Sequence, residues 1–293
     1  MPDLQLTFTT KPAIAPAMLK ALLLPRKGFN AHTGLPQIHA TWSGARVDPD
    51  ALGRYLTLLG LPASETLPIL YPHVMAGGMH MHMLTHKAFP IRLLGAVHLK
   101  NRIVQHRAIR ADQALTFDSR MGETRLVEKG VEFDFTTAVI VEGETLWQET
   151  TTYFKAGTFG GRDNPSASKS FELASLESAT DTSQWSIPTD RGKKYAAITG
   201  DYNPIHMSSL LAKLFGFKRD IAHGFGVLAQ AIHHATHSRT GQDNLQVDVI
   251  FKGPLYLGSD LQIKQNLEQD PSRFDVYCGT NPKPSICAAV VEL

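Results

Sequence analysis

The sequence predicts an α+β protein made by duplication, in which each half sets an apolar helix against antiparallel strands. The first observation behind this is a repeat. Asp50 and Asp190, Tyr55 and Tyr195, and Gly60 and Gly200 are each 140 positions apart, and His73 and His223, each leading an apolar helix-like run, are 150 apart. The second is periodicity. Val227, Leu228, Ala231, Ile232 and Ala235 recur as a helical stripe, whereas Leu245, Val247, Val249 and Phe251 alternate as a strand. Burying such a helix on such a sheet is the α+β arrangement. At 293 residues the chain has room for two ordinary domains.

Taken in order, Leu4 to Thr9 alternates as a short strand, and Ala17 to Leu24 reads as a brief helix before the break at Pro25-Arg26-Lys27-Gly28. Gln37 to Val47 reads as a strand. Asp48 then supplies an N-cap and Pro49 the first helical position of a helix that reaches Leu59 and ends at Gly60. Strands follow at Gly95 to Gln105, Val131 to Val141 and Glu144 to Phe154. Residues 157–170, rich in Gly, Ser, Asn and Pro, form the expected linker between domains at 1–156 and 171–293. In the second half Asp190 is the expected N-cap of a helix through Tyr195 and Ile198, and Gly200 its left-handed end. Leu210, Leu211, Leu214 and Phe215 have the spacing of one buried stripe, closed by Gly216. Gly241 lies beyond the end of the following helix. Strands follow the one at Leu245, around Leu261 to Leu267, Arg273 to Gly279 and Ile286 to Glu292; in Leu245 to Phe251, Ile250 interrupts the polar face.

Lys and Arg number 29 against 27 Asp and Glu, a formal charge of +2, so no field suited to nucleic acid is present. No apolar run has the length of a membrane span. Cys278 and Cys287 lack zinc or redox spacing and read as small buried hydrophobes, in keeping with a reducing, cytoplasmic compartment. His233 and His237 stand four apart on a predicted helix, and His80, His82 and His86 cluster in the first half, but neither set has an acidic or cysteine partner at a recognised spacing. No functional metal is expected. Met75, Met79 and Met83, at helical spacing, suit either ordinary core or the adaptable wall of an apolar cavity.

The chemistry concentrates between Tyr195 and Ala229. Asn203 precedes Pro204 and is biased toward extended backbone, so Asp201, Asn203 and His206 can converge on an irregular segment. A carboxylate and an imidazole five positions apart can hold one water between them, one taking its proton while the other delivers a proton elsewhere. Gly224 opens a helix whose first N–H groups have no intrahelical partner and can face an oxyanion. These parts suit addition of water beside an activated carbonyl.

Tyr-x-x-x-Thr-Gly-Asp-x-Asn-Pro-Ile-His from Tyr195 to His206, followed by Ala-His-Gly at 222–224, resembles the signature of the MaoC-like, (R)-specific enoyl-CoA hydratase (hydratase 2) family. The resemblance implies a double hot-dog fold and reversible syn hydration of a trans-2-enoyl thioester to a (3R)-hydroxyacyl thioester. It makes Asp201 and His206 the catalytic pair, Asn203 their support and Gly224 the oxyanion donor. Coenzyme A enters as part of the substrate and no cofactor is implied. Tyr195, His223, Lys218 and Arg219 are the expected substrate-binding residues; Lys193, Lys194 and Lys213 add basic charge near them. The carrier is coenzyme A or an acyl-carrier protein, and His223 is expected to support the loop.

The first half lacks this equipment. Ten fewer residues separate Gly60 from His73 than Gly200 from His223, Leu61 to Thr66 stand in place of the acid and base, and Val74 stands where Gly224 would. It reads as a degenerate, non-catalytic hot dog, as in the fused hydratases. A hot-dog acyl-thioesterase and a non-catalytic acyl-thioester-binding subunit are the alternatives, since fold does not fix reaction. No nucleic-acid or membrane partner is expected, and the chain is expected to form a homodimer.

Overall fold

The computed structural model describes residues 4–14, 17, 28–30, 34–93, 95–159, 171–236 and 242–293. In chain order the elements are β1 (Leu4–Phe8), β2 (Ile38–Ala45), α1 (Pro49–Leu59), α2 (Tyr71–Leu84), β3 (Ala96–Gln105), β4 (Leu115–Val127), β5 (Gly130–Val141) and β6 (Glu144–Ala156). The second half continues with β7 (Thr180–Ser186), α3 (Arg191–Thr199), the single turn α4 (Pro204–Met207), α5 (Ser209–Leu214), α6 (Gly224–Thr236), β8 (Leu245–Phe251), β9 (Asp260–Asn266), β10 (Asp270–Cys278) and β11 (Ile286–Glu292).

Among the described residues eleven strands join one sheet in the order β1-β2-β4-β5-β6-β3-β8-β11-β10-β9-β7. The duplication is visible in that order. β2-β4-β5-β6-β3 in one half matches β7-β9-β10-β11-β8 in the other, and the two runs meet where β3 pairs antiparallel with β8 from Lys100↔Ile250 to Gln105↔Leu245. Helices α2 and α6 lie against the sheet, and one continuous apolar core runs through both halves from Trp42, Phe117 and Met79 to Leu228, Ile263 and Phe274. This is the predicted α+β double hot dog. Met75, Met79 and Met83 pack in that core, the last two with no exposed surface.

Local chemistry explains the first repeat unit well. Asp48 Oδ1 accepts from the N–H groups of Asp50 and Ala51, a cap worth about 1 kcal/mol, and Gly60 stops α1 in the left-handed region at φ 65°. Asp190 behaves differently from its counterpart. It sits in helical geometry and makes no cap bond, because its carboxylate is taken by Lys194 Nζ at 2.7 Å. Gly200 nonetheless ends α3 at φ 83°, as predicted.

Three further expectations need correction. Leu210 and Leu214 are 73% and 74% exposed and Leu211 is exposed as well, so α5 has no buried leucine stripe; the helix is six residues long and Ala212 alone of them is buried. Second, β4 and β7 were not legible. β4 hides its alternation because its buried positions include the polar Ser119 and Arg125, and β7 is a polar edge strand with no buried residue. Third, Ile250 faces outward yet is buried, because the chain after the linker crosses the outer face and lays Leu173 and Phe171 over Ile250 and Cys287. The helix expected at Ala17 to Leu24 lies, apart from Ala17, outside the described residues, as do positions 160–170 of the linker, His237 and Gly241. Among the described residues no helix is long and apolar enough to cross a membrane. Cys278 and Cys287 are buried free thiols, as expected of small core residues.

Candidate active site

Asn203, at φ −54° and ψ 127°, takes the extended geometry that Pro204 demands, and it does two jobs from there. Its backbone N–H donates to Asp201 Oδ1 at 3.2 Å, and its side-chain Oδ1 caps α4 by accepting from the Ile205 N–H at 3.4 Å. His206 therefore stands on a short capped turn rather than on irregular chain, a small departure from expectation. The imidazole is fixed from its other side. His206 Nδ1 donates to the Ile221 carbonyl at 2.8 Å, which leaves Nε2 as the lone-pair nitrogen. Burial pushes the His206 pKa down, against the pull of Asp201 and the Ile221 bond, so the ring is held neutral.

His223 lies directly behind. Its ring stacks on His206 with centroids 3.7 Å apart, and its Nε2 donates to the Asp201 carbonyl at 2.9 Å and lies 3.7 Å from the Asp201 carboxylate. Burial and the adjacent His206 lower its pKa to about 3. Tyr195 packs 4.6 Å from the same ring and is 4% exposed; with His223 at 6%, both act from beneath the pair rather than at an open surface. Burial raises the Tyr195 phenol well above its ordinary value.

Gly224 begins α6. The first backbone bonds of that helix run from the Gly226 and Val227 N–H groups to the His223 carbonyl, so the Gly224 N–H precedes the ladder. A side chain is excluded here: a Cβ on Gly224 would lie 2.7 Å from Phe251 Cε1. Asp201, Asn203, His206, His223, Tyr195 and Gly224 are thus brought together. Lys218 is exposed on the connection to α6, and the half-buried Arg219 pairs with Asp220 at 3.4 Å.

Sequence reasoning missed Gly192. A Cβ there would sit 2.2 Å from the His206 carbonyl oxygen, so α3 can approach the His206 turn only through a glycine. A glycine inside a predicted helix was the available signal. One donor atom from each of Asp201, His206 and His223 lies within 4.8 Å of the others, a spacing that admits a metal ion. However, His206 Nδ1 and His223 Nε2 are already engaged by main-chain carbonyls, leaving one nitrogen on each ring. The free set of carboxylate, neutral imidazole and helix N-terminus is suited to moving a proton to and from water beside an oxyanion.

The corresponding segment of the first half is built differently. The chain from Gly60 to Leu70 carries no helix, and Glu65 is exposed and paired with Arg110 at 3.2 Å.

Residues 174–287 match the family model of the MaoC-like domain. The chain is 29% identical over 225 residues to the 3-hydroxyacyl-thioester dehydratase X of Mycobacterium tuberculosis, covering 76% of this chain and 78% of that protein. It is also 28% identical over 180 residues to the peroxisomal hydratase-dehydrogenase-epimerase of Neurospora crassa, covering 59% of this chain and 19% of that longer protein. Among solved structures, that of HtdX from Mycobacterium tuberculosis superposes with a TM-score of 0.71 at 25% identity, over 87% of this chain and all of that one.

Proposed function

We propose that the chain, whose residues 174–287 match the MaoC-like domain, is a member of that family and an (R)-specific 2-enoyl-thioester hydratase acting reversibly as a 3-hydroxyacyl-thioester dehydratase. The hydro-lyase class is shared with the similar dehydratase of Mycobacterium tuberculosis. The observation that carries the finer reading is the support given to Asp201 and His206, one by the Asn203 N–H and the other by the Ile221 carbonyl, beside the free end of α6.

In this reading the thioester oxygen accepts a hydrogen bond from the Gly224 N–H, which draws electron density from C3. A water held between the Asp201 carboxylate and His206 Nε2 attacks C3. The double-bond electrons move toward the thioester oxygen, C2 then takes a proton, and H and OH have been added to one face. Loss of water runs through the same groups in reverse. Removal and return of the proton are assigned to the pair as a unit, since each can hold the same water. Lys218 and Arg219 supply positive charge for the phosphates of coenzyme A or for an acidic carrier protein.

The test is incubation with crotonyl-CoA while following both enoyl-thioester absorbance and free thiol. Loss of the enoyl absorbance without thiol release supports the proposal. Thiol release without hydration would replace it with a thioesterase, and no change in either would leave a binding subunit.

A further inference from the structure

The most unusual buried group outside the candidate active site is Glu149 of β6. Its carboxylate has no exposed surface, in a half that the repeat shows to lack the acid and base of the other. Among the described residues its ion-pair partners are two histidines, His73 at 2.8 Å and His80 at 3.8 Å, and no lysine or arginine. A buried carboxylate without a fixed cation is costly, by several kcal/mol on the order of the desolvation penalty per ion, unless a proton or a metal balances it. Three polar atoms of this cluster, Glu149 Oε1, His80 Nδ1 and Asn101 Oδ1, are buried without a hydrogen-bond partner. The matching strand of the second half, β11, buries only Ile286, Cys287, Ala288 and Ala289. The cluster is therefore particular to the first half.

We propose that His73, His80 and Glu149 form a structural binding site for a divalent transition-metal ion of the zinc type. One donor atom from each residue lies within 4.8 Å of the other two, and two imidazoles with one carboxylate are a donor set that zinc accepts. The separations agree with that assignment. Tetrahedral bonds of about 2.0–2.1 Å place ligand atoms roughly 3.3 Å apart, and the observed His73 Nδ1 to Glu149 Oε2 and His80 Nε2 to Glu149 Oε1 distances of 2.8 and 3.8 Å bracket this value. The supporting shell is present. Asn101 Nδ2 donates to Glu149 Oε2 at 2.9 Å and to Thr151 Oγ1 at 2.8 Å, which orients the carboxylate. His80 Nε2 is 2.7 Å from Thr137 Oγ1; when the nitrogen turns to metal, that hydroxyl keeps Ser119 Oγ, 3.0 Å away. His73, 14% exposed in its side chain, gives the ion a way in. The ion would tie α2 to β6.

The test uses the full chain, stripped with a chelator and titrated with Zn²⁺ alone by calorimetry, with melting temperature followed in parallel. We expect one ion per chain, a higher melting temperature when it is bound, and anomalous scattering at the zinc edge centred between His73, His80 and Glu149 in crystals. Asp201→Asn should retain the ion, whereas Glu149→Gln and His73→Gln should weaken it at least tenfold. The anomalous peak needs no variant, so a misfolded Glu149→Gln leaves the result readable. No binding by the folded chain, or a peak at Asp201, His206 and His223 instead, would overturn the assignment. Neither outcome depends on whether crotonyl-CoA is hydrated.

Discussion

The Phe225 ring lies on the His73 ring, centroids 3.9 Å apart and planes 17° from parallel. The residue next to the candidate oxyanion glycine is thereby backed by a side chain of the other half, and the Phe251 ring that closes on Gly224 is 5.9 Å from Phe225. Through this contact the first half packs against the start of α6. Phe225→Ala should cost about 3–5 kcal/mol of stability and also lower turnover by loosening the start of α6. Chemical denaturation beside initial rates measures both, and unchanged values would show that this contact is idle.

Two glycines separate crowding from helix propensity. Gly192→Ala puts a Cβ against the His206 carbonyl, where it meets backbone at 2.2 Å, so turnover should fall at least tenfold as the His206 turn shifts. Gly53, exposed in α1, has nothing within 4 Å of such a Cβ. Gly53→Ala should instead raise stability by about 0.5–1 kcal/mol and leave turnover alone. Rates and melting temperatures of the two variants, taken side by side, check this opposition.

Met79 has no exposed surface and belongs to the common core. Met79→Ala should cost about 2–5 kcal/mol, and activity on short and long enoyl chains should fall together as the folded fraction does. A loss confined to long chains, at unchanged melting temperature, would make Met79 a wall of an acyl tunnel instead.

Acid should weaken the fold earlier than carboxylate titration alone predicts. Burial depresses both His206 and His223 in the folded chain, the latter from 6.5 to about 3. As pH falls below 6.5 the unfolded chain takes up these protons first, so stability is full above that value and is lost progressively toward about 3. Melting temperature should decline between pH 6.5 and 4, and less steeply in His223→Gln. A flat profile in the parent chain would contradict the depressed values.

Much of this was readable from residue order, for a physical reason. The repeat, the α1 cap at Asp48, the left-handed ends at Gly60 and Gly200 and the gathering of Asp201, Asn203 and His206 depend on neighbours a few positions apart. What was not readable depends on distant partners. Asp190 lost its cap role to Lys194, a competition that spacing alone does not decide. Leu210 and Leu214 look like core by period, yet α5 is too short and too peripheral to bury them. Glu149 joins His73 across 76 positions, and Gly192 meets the His206 carbonyl only because two short helices cross there. A charged residue between the inward Trp147 and Thr151 was the one trace of the first-half cluster in the sequence.

The central claim is that Asp201 and His206 act together on water, and turnover of a trans-2-enoyl thioester by Asp201→Asn and His206→Gln tests it most directly. Positioned acid-base groups contribute roughly 10²- to 10⁴-fold, so each variant should lose about two or more orders of magnitude in kcat while melting temperature and thioester binding persist, and the double variant should lose little beyond the worse single one. Near-parental turnover in either folded variant would contradict the assignment.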